Sequence, residues 1–180
     1  MTEPAIVLIG PMGAGKTSVG KRVAKRLGLS FTDSDAVIVR EHGPIDAIFT
    51  AEGEPRFREL ERDAVASALA AGGVVALGGG AVLHPDTQAA LRGHRVVLLT
   101  VAPRNVAARI RGGSRPLLED GDAVERWHEI YAARRPLYER LAHVTFDTSA
   151  GPLQDVVDAL AAWITDERPR RDDPAPGAPE

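Results

Sequence analysis

Cysteine is missing from this sequence of 180 residues. Its absence excludes disulfides, thiolate metal sites and cysteine nucleophiles. The sequence has five histidines, and none of their separations is typical of a metal site. They are His42, His84, His94, His128 and His143. We therefore assign the histidines no functional role.

Long hydrophobic runs and an excess of one charge are also missing. No apolar run approaches the roughly 18 residues that a membrane span requires. Lys and Arg number 22 against 25 Asp and Glu, a formal net charge of −3, which does not predict general binding to nucleic acid. Met1 precedes the first apolar run too closely to leave room for a signal peptide. We expect a cytoplasmic protein with no membrane or nucleic-acid partner, and a monomer.

Short apolar, β-branched runs alternate with longer segments of helical periodicity. We predict strands near 5–9, 30–32, 74–77, 95–101 and 143–146, and helices near 16–27, 54–71, 86–92, 104–111, 122–141 and 153–165. This alternation predicts an α/β fold of three layers, in which helices cover both faces of a five-stranded parallel sheet. One domain would span 1–166, with Trp127 and Trp163 packed in it. The proline-rich, charged tail 167–180 is expected to be disordered.

The first functional motif is Gly10-Pro11-Met12-Gly13-Ala14-Gly15-Lys16-Thr17, which fits G-x-x-x-x-G-K-[ST] at every fixed position. It lies between a predicted strand and a predicted helix, the context that a phosphate-binding loop requires. The motif therefore predicts binding of ATP or GTP, with Lys16 between the β- and γ-phosphates and Thr17 holding Mg²⁺. The candidate nucleotide-binding residues are Gly13, Ala14, Gly15, Lys16, Thr17 and Ser18. The alternative is a glycine-rich turn with a chance Lys-Thr.

Two carboxylates, Asp33 and Asp35, follow the second predicted strand. Ligands of parallel sheets bind at this edge. One carboxylate there can orient Mg²⁺, and the other can accept a proton from an alcohol nucleophile. Because Asp is favoured at helix starts, the alternative is that the pair only caps a helix.

The third predicted strand ends in Gly78, Gly79 and Gly80. Three glycines allow the backbone to approach a ligand closely, although they also suit a flexible turn. This strand lacks the terminal Asp that often holds magnesium, so the metal would depend on Thr17 and Asp33.

Three arginines stand out because a guanidinium fork suits carboxylate and phosphate groups. They are Arg58, Arg115 and Arg134. Each, taken alone, is more typical of a solvated or salt-bridged surface residue. The glycine-rich, basic stretch around Arg115 is typical of a lid that closes over a transferring phosphoryl group.

Taken together, these motifs make the sequence resemble shikimate kinase, within the nucleoside-monophosphate-kinase-like P-loop kinases. The matching pieces extend over about residues 5–148. They are the phosphate loop through Gly20, Asp33-Ser34-Asp35, Ile48-Phe49, Gly53-Glu54, Phe57-Arg58-Glu59-Leu60-Glu61, Leu77-Gly78-Gly79-Gly80-Ala81-Val82, Arg115-Pro116-Leu117-Leu118 and Arg134-Arg135-Pro136-Leu137-Tyr138. The phosphate loop is shared with many families, whereas the ordered set of the other motifs is more specific.

The resemblance implies transfer of the γ-phosphoryl of ATP to the 3-hydroxyl of shikimate, with Mg²⁺, in aromatic amino-acid biosynthesis. It implies catalytic roles for Lys16, Asp35 and Arg115, the last also binding nucleotide. The shikimate contacts implied are Asp35, Arg58, Arg134 and the three glycines, with Glu61 orienting Arg58. The metal contacts implied are Thr17 and Asp33.

The resemblance also places a substrate-binding segment at about 33–61 and a lid at about 109–122. The sequence departs from the family at Gly43-Pro44-Ile45, which is shorter than the usual segment. The lid looks short as well, and either Arg109 or Arg111 would pack on adenine. Two alternatives to shikimate phosphorylation stay open, namely another small-molecule kinase such as a gluconate kinase and a non-catalytic nucleotide-binding module.

Overall fold

A computed structural model describes residues 3–110 and 122–166 of the chain. Its five strands form one parallel sheet in the order β2-β3-β1-β4-β5. The strands are β1 (Ile6–Ile9), β2 (Phe31–Asp33), β3 (Val74–Ala76), β4 (Arg95–Thr100) and β5 (Val144–Asp147). The predicted parallel α/β sheet is therefore confirmed.

Seven α-helices are described around this sheet. They are α1 (Lys16–Leu27), α2 (Ser34–His42), α3 (Ile45–Ala71), α4 (Pro85–Leu91), α5 (Pro103–Ile110), α6 (Ala123–Leu141) and α7 (Leu153–Thr165), and a short 3₁₀ turn spans Ala81–Leu83. Within the described ranges, every helix is too short or too polar to span a lipid bilayer.

The central strand β1 explains why both faces of the sheet are covered. Side chains alternate across a strand, so Ile6 and Leu8 enter one hydrophobic core while Val7 and Ile9 enter the other. All four residues are buried. Because chain order reverses on the two sides of β1, the carboxyl end of this strand opens into the crevice where ligands of such sheets bind.

Both tryptophans pack as predicted. The Trp127 ring is 1% exposed, and its indole N–H donates to the carbonyl oxygen of Met12 at 2.8 Å. Trp163 packs against the same core, and the Arg95 guanidinium lies 4.6 Å from its ring centroid.

The predicted helices leave out residues 34–53, where the structure has α2 and the first part of α3. Asp33 caps α2 through its side chain, and α3 begins directly after Pro44. The missed parts are short, and α2 has little amphipathic contrast for a pattern to detect. Gly53, with a φ of 81°, bends α3 at the point where the prediction started it. Most of the expected lid and the whole tail 167–180 lie outside the described residues.

Two histidines accept backbone hydrogen bonds at the amino-terminal ends of the strands. The backbone N–H of Ala5 donates to Nδ1 of His94 at 3.0 Å, and that of Val96 donates to Nδ1 of His143 at 3.0 Å. A ring nitrogen accepts a hydrogen bond only when it is unprotonated. Burial lowers the pKa of His94 from its ordinary 6.5, which is consistent with a neutral ring.

The hydrogen bond from Ala5 to His94 predicts a loss of stability in mild acid. As pH falls, the unfolded chain binds a proton at His94 before the folded chain does. The contribution of His94 to the free energy of unfolding is therefore complete above pH 6.5 and falls as pH drops toward the lower pKa of the folded state. His94→Asn keeps an acceptor but does not titrate, so its free energy of unfolding should decline less than that of the parent between pH 7.5 and 5.5. Urea titrations would measure this, with the exposed His128→Asn as control; parallel curves for parent and His94→Asn would refute the role of the ring.

Candidate active site

A cavity of about 480 Å³ opens at the carboxyl ends of β1, β2 and β3. Its lining brings together three groups of residues that are distant in sequence. They are the loop from Met12 to Ser18, the acidic pair Asp33 and Asp35, and the glycines Gly78 and Gly79. The structure thus unites the three motifs that the sequence analysis identified separately.

The loop before α1 adopts the conformation that its glycines allow. Gly13 and Gly15 have φ values of 79° and 89°, in the left-handed region that disfavours side chains. The loop therefore leads directly into α1 at Lys16, and Lys16, Thr17 and Ser18 of the first helical turn line the cavity. Lys16 Nζ donates to the carbonyl oxygens of Gly10 at 2.8 Å and Pro11 at 2.9 Å, so its charge lies over the loop.

Asp33 joins the loop to α2. Its Oδ1 accepts the backbone N–H groups of Asp35 at 3.0 Å and Ala36 at 3.2 Å, while its Oδ2 accepts the Thr17 hydroxyl at 2.5 Å. The capping alternative is therefore correct for Asp33, but it does not exclude a site role, because the second oxygen faces Thr17. A carboxylate beside a hydroxyl is a suitable pair of hard oxygen ligands for a divalent cation.

Asp35 lies deeper in the cavity. Its Oδ1 is buried and has no hydrogen-bond partner within residues 3–110 and 122–166. Burial, with Asp33 and Glu61 nearby, raises the pKa of Asp35 to about 6, and the positive charges of Lys16 and Arg58 oppose that rise. A buried carboxylate with a free oxygen and a raised pKa is a good proton acceptor near neutral pH.

The glycine triplet (Gly78, Gly79 and Gly80) packs against charged side chains. A Cβ on Gly78 would lie 2.5 Å from Oδ1 of Asp35 and 3.0 Å from Oε1 of Glu61, and one on Gly80 would lie 2.8 Å from Cζ of Arg58. A Cβ on Gly79 would lie 3.7 Å from Nη1 of Arg134. The predicted substrate residues therefore surround this one backbone segment.

Two glutamates hold Arg58 in place. Its Nη1 donates to Oε2 of Glu61 at 2.7 Å, and its Nη2 donates to Oε1 of Glu54 at 3.0 Å. Glu61 is buried, whereas the Glu54 side chain is half exposed. The contact with Glu61 agrees with the expected orienting role; Glu54 was not predicted, although its i,i+4 spacing from Arg58 was a usable signal.

Arg109 also lines the cavity. Its guanidinium donates to the carbonyl oxygen of Gly13 at 3.0 Å and to that of Thr148 at 2.8 Å. The buried Thr148 in turn donates its hydroxyl to the carbonyl oxygen of Ala14 at 2.8 Å. Sequence reasoning missed Thr148, which no motif marks. Arg111 and Arg115 lie outside the described residues, so their predicted roles stay predictions.

Comparison with known protein families matches residues 12–165 to the shikimate kinase family. The chain belongs to that family. A shikimate kinase from Streptomyces avermitilis is 47% identical over 89% of this chain and 97% of its own length. Among solved structures, a shikimate kinase from Acinetobacter baumannii in complex with shikimate has a TM-score of 0.85 at 36% identity, covering 91% of this chain and 93% of that chain.

A gluconokinase from Sinorhizobium meliloti is less similar, with a TM-score of 0.59 at 26% identity over 89% of this chain and 93% of that chain. The predicted family is thus confirmed against the gluconate-kinase alternative.

For this member of the shikimate kinase family, the buried carboxylate of Asp35 predicts a cost to stability. Its raised pKa means that the folded state keeps a proton that the unfolded chain releases, so stability falls as pH rises from 3.8 to about 6. Asp35→Asn should therefore raise the free energy of unfolding at pH 8 by roughly 1–3 kcal/mol, and the gain should shrink in acid.

Urea titration of parent and variant at pH 8 and pH 4.5 would measure both effects. The exposed Asp63 gives a matched control, since Asp63→Asn removes a carboxylate whose side chain is 69% exposed. If Asp35→Asn were less stable than the parent at pH 8, the buried carboxylate of Asp35 would not be the source of a cost to stability.

Proposed function

We propose that this protein transfers the γ-phosphoryl group of ATP to the 3-hydroxyl of shikimate, giving shikimate 3-phosphate and ADP. The observation that carries the proposal is the arrangement of Asp35, Arg58 and Arg134 around one glycine segment. That segment lines the same cavity as Lys16. Membership of the shikimate kinase family supports this assignment.

The nucleotide would bind along the loop between β1 and α1. The backbone N–H groups of Gly13, Ala14 and Gly15, together with those of the first turn of α1, would donate to the phosphates. Lys16 would place its charge against the β- and γ-phosphates, and Ser18 lines the same cavity. Arg109 is the candidate for the adenine side among the described residues, because it lines the cavity and its guanidinium donates to the carbonyl oxygen of Gly13 in the loop.

Mg²⁺ fits the oxygen pair of Thr17 and Asp33. No cluster of three or more His, Asp or Glu able to hold a metal is found in the described part of the chain. That agrees with Mg²⁺, which usually takes one or two protein ligands and completes its shell with phosphate and water. When bound, the cation would neutralise charge on the phosphates.

The acceptor would bind between the arginines and the glycine triplet. Shikimate carries one carboxylate and three hydroxyls, so a site for it needs guanidinium donors at one end and an acceptor at the other. Arg58 and Arg134 would hold the carboxylate, with Arg58 kept in place by Glu61 and Glu54. The glycine backbone would contact the ring.

Asp35 would accept the proton of the 3-hydroxyl as that oxygen attacks the γ-phosphorus. The bond from the γ-phosphorus to the bridging oxygen of ADP breaks, and the negative charge passes to ADP. With a pKa of about 6, the carboxyl is ionised near neutral pH and remains a useful base. Arg115 is proposed to add positive charge to the phosphates when the lid closes.

ADP release, measured with shikimate and with gluconate as acceptor in the presence of ATP and Mg²⁺, tests this function. We expect turnover with shikimate and little with gluconate, because gluconate lacks the ring that the glycines would contact. Lys16→Met should abolish most of the signal by removing a charge aimed at the phosphoryl group. No ADP release with shikimate would refute the proposal, and a preference for gluconate would reassign the acceptor.

Arg134→Ala should weaken shikimate binding by roughly 2–5 kcal/mol if the carboxylate is paired in a desolvated site. The neighbouring Arg135 is a matched control, because its side chain is 62% exposed and pairs with Glu139. Arg135→Ala should leave the affinity for shikimate within about twofold, consistent with the small value of exposed ion pairs. Calorimetric titration of both variants with shikimate would measure the difference; equal affinities would remove Arg134 from the site.

A further inference from the structure

Protein groups satisfy most of the backbone of the glycine triplet. The carbonyl oxygen of Gly78 accepts the N–H of Ala81 at 3.1 Å, and that of Gly80 accepts the N–H of Leu83 at 3.0 Å. These two bonds form the turn that follows β3. They leave three N–H groups and the Gly79 carbonyl to be accounted for.

Two side-chain hydroxyls bind the triplet from opposite sides. The N–H of Gly78 donates to Oγ of Ser34 at 3.0 Å, and the Tyr138 hydroxyl donates to the carbonyl oxygen of Gly79 at 2.5 Å. Ser34 is fully buried and Tyr138 is 1% exposed. Burial raises the pKa of Tyr138 to about 12, so its hydroxyl stays protonated and able to donate.

The N–H groups of Gly79 and Gly80 remain, and neither has a protein acceptor among residues 3–110 and 122–166. Gly79 lines the cavity, and Gly80 lies against the Arg58 guanidinium. Both donors are therefore next to groups assigned to the acceptor substrate. A free backbone N–H in such a place is available to an oxygen of a bound ligand.

The two hydroxyls belong to elements that carry other site residues. Ser34 stands between Asp33 and Asp35 at the start of α2, and Tyr138 follows Arg134 by one turn on α6. Glycine has more backbone freedom than any other residue, so three in succession do not fix their own peptide planes. The hydrogen bonds with Ser34 and Tyr138 fix these peptide planes. They also link the orientation of the planes to the positions of Asp35 and Arg134.

We propose that Ser34 and Tyr138 are positioning residues, which fix the Gly78 and Gly79 peptide groups so that the N–H groups of Gly79 and Gly80 meet the oxygens of a hydroxylated carboxylic acid. This inference rests on the proposed function. It separates shikimate recognition, to which the two hydroxyls contribute, from nucleotide binding, to which they do not.

Tyr138→Phe tests one side of this arrangement. It keeps the packed ring and removes the hydroxyl, which donates to Gly79 and also interacts with the Arg134 side chain. The Ser34→Ala variant, which leaves Arg134 in place, separates the two contacts. We expect KM for shikimate to rise by about fivefold or more, with KM for ATP within about twofold, because the Gly79 carbonyl loses its buried donor. Tyr131→Phe is the matched control. Its ring centroid lies 6.4 Å from that of Tyr138, and its hydroxyl has no hydrogen-bond partner in the described ranges.

Ser34→Ala tests the other side, with Ser149→Ala as control. Ser149 also accepts a backbone N–H, that of Ala102 at 2.6 Å, but at the β4–β5 side of the sheet. Both serine variants lose a similar bond. Only Ser34→Ala should raise KM for shikimate relative to KM for ATP. If Ser34 had a purely structural role, both serine variants would have a lower melting temperature, and neither would change the ratio of the two KM values.

Hydrogen exchange in the unliganded protein adds a readout that does not depend on activity. Ser34→Ala should speed exchange of the Gly78 amide by about tenfold, while an amide in β4 stays unchanged. If the parent turns over shikimate but neither variant shifts its KM, the inference is wrong and the proposed function stands. If the parent does not release ADP with shikimate, the proposed function fails and the inference fails with it.

Discussion

Close packing of charged side chains against a backbone without Cβ atoms is the constraint on which the site depends. Asp35, Glu61 and Arg58 approach the glycine triplet so closely that a side chain at Gly78 or Gly80 would displace them. Interiors are packed too densely to absorb such a change cheaply. The glycines therefore create the space in which an acid and two arginines converge, and the hydrogen bonds of Ser34 and Tyr138 give that space a fixed wall.

The sheet topology brings the two halves of the site together. β1 ends in the phosphate-binding loop, its neighbour β3 ends in the glycine triplet, and β2 ends in the acidic pair. Because parallel strands point the same way, these three ends meet at one edge. Thr148 and Arg109 fix the loop from the other side of the crevice, so nucleotide and acceptor are expected to meet between rigid elements.

Much of this could be predicted from the sequence, since the informative signals were local. The loop motif, the paired aspartates and the glycine run each stand in contiguous residues with a physical reason for their type. Tertiary contacts were not visible: Thr148 binds Ala14 across 134 positions and Tyr138 binds Gly79 across 59, and neither pair has a sequence pattern. Helix α2 was missed because its register is set by the cap from Asp33 and by packing on α3 rather than by a strong apolar stripe.

The two carboxylate oxygens of Asp33 bind different parts of the site, which couples those parts. One oxygen starts helix α2 and the other contacts Thr17, so a cation arriving at Thr17 would pull on the same group that anchors the helix. The next two residues along that helix are Ser34 and Asp35. Occupancy on the nucleotide side would thereby act on a carboxylate that lies only two residues from Asp35, the proposed proton acceptor, so one short segment of chain would connect the two substrates.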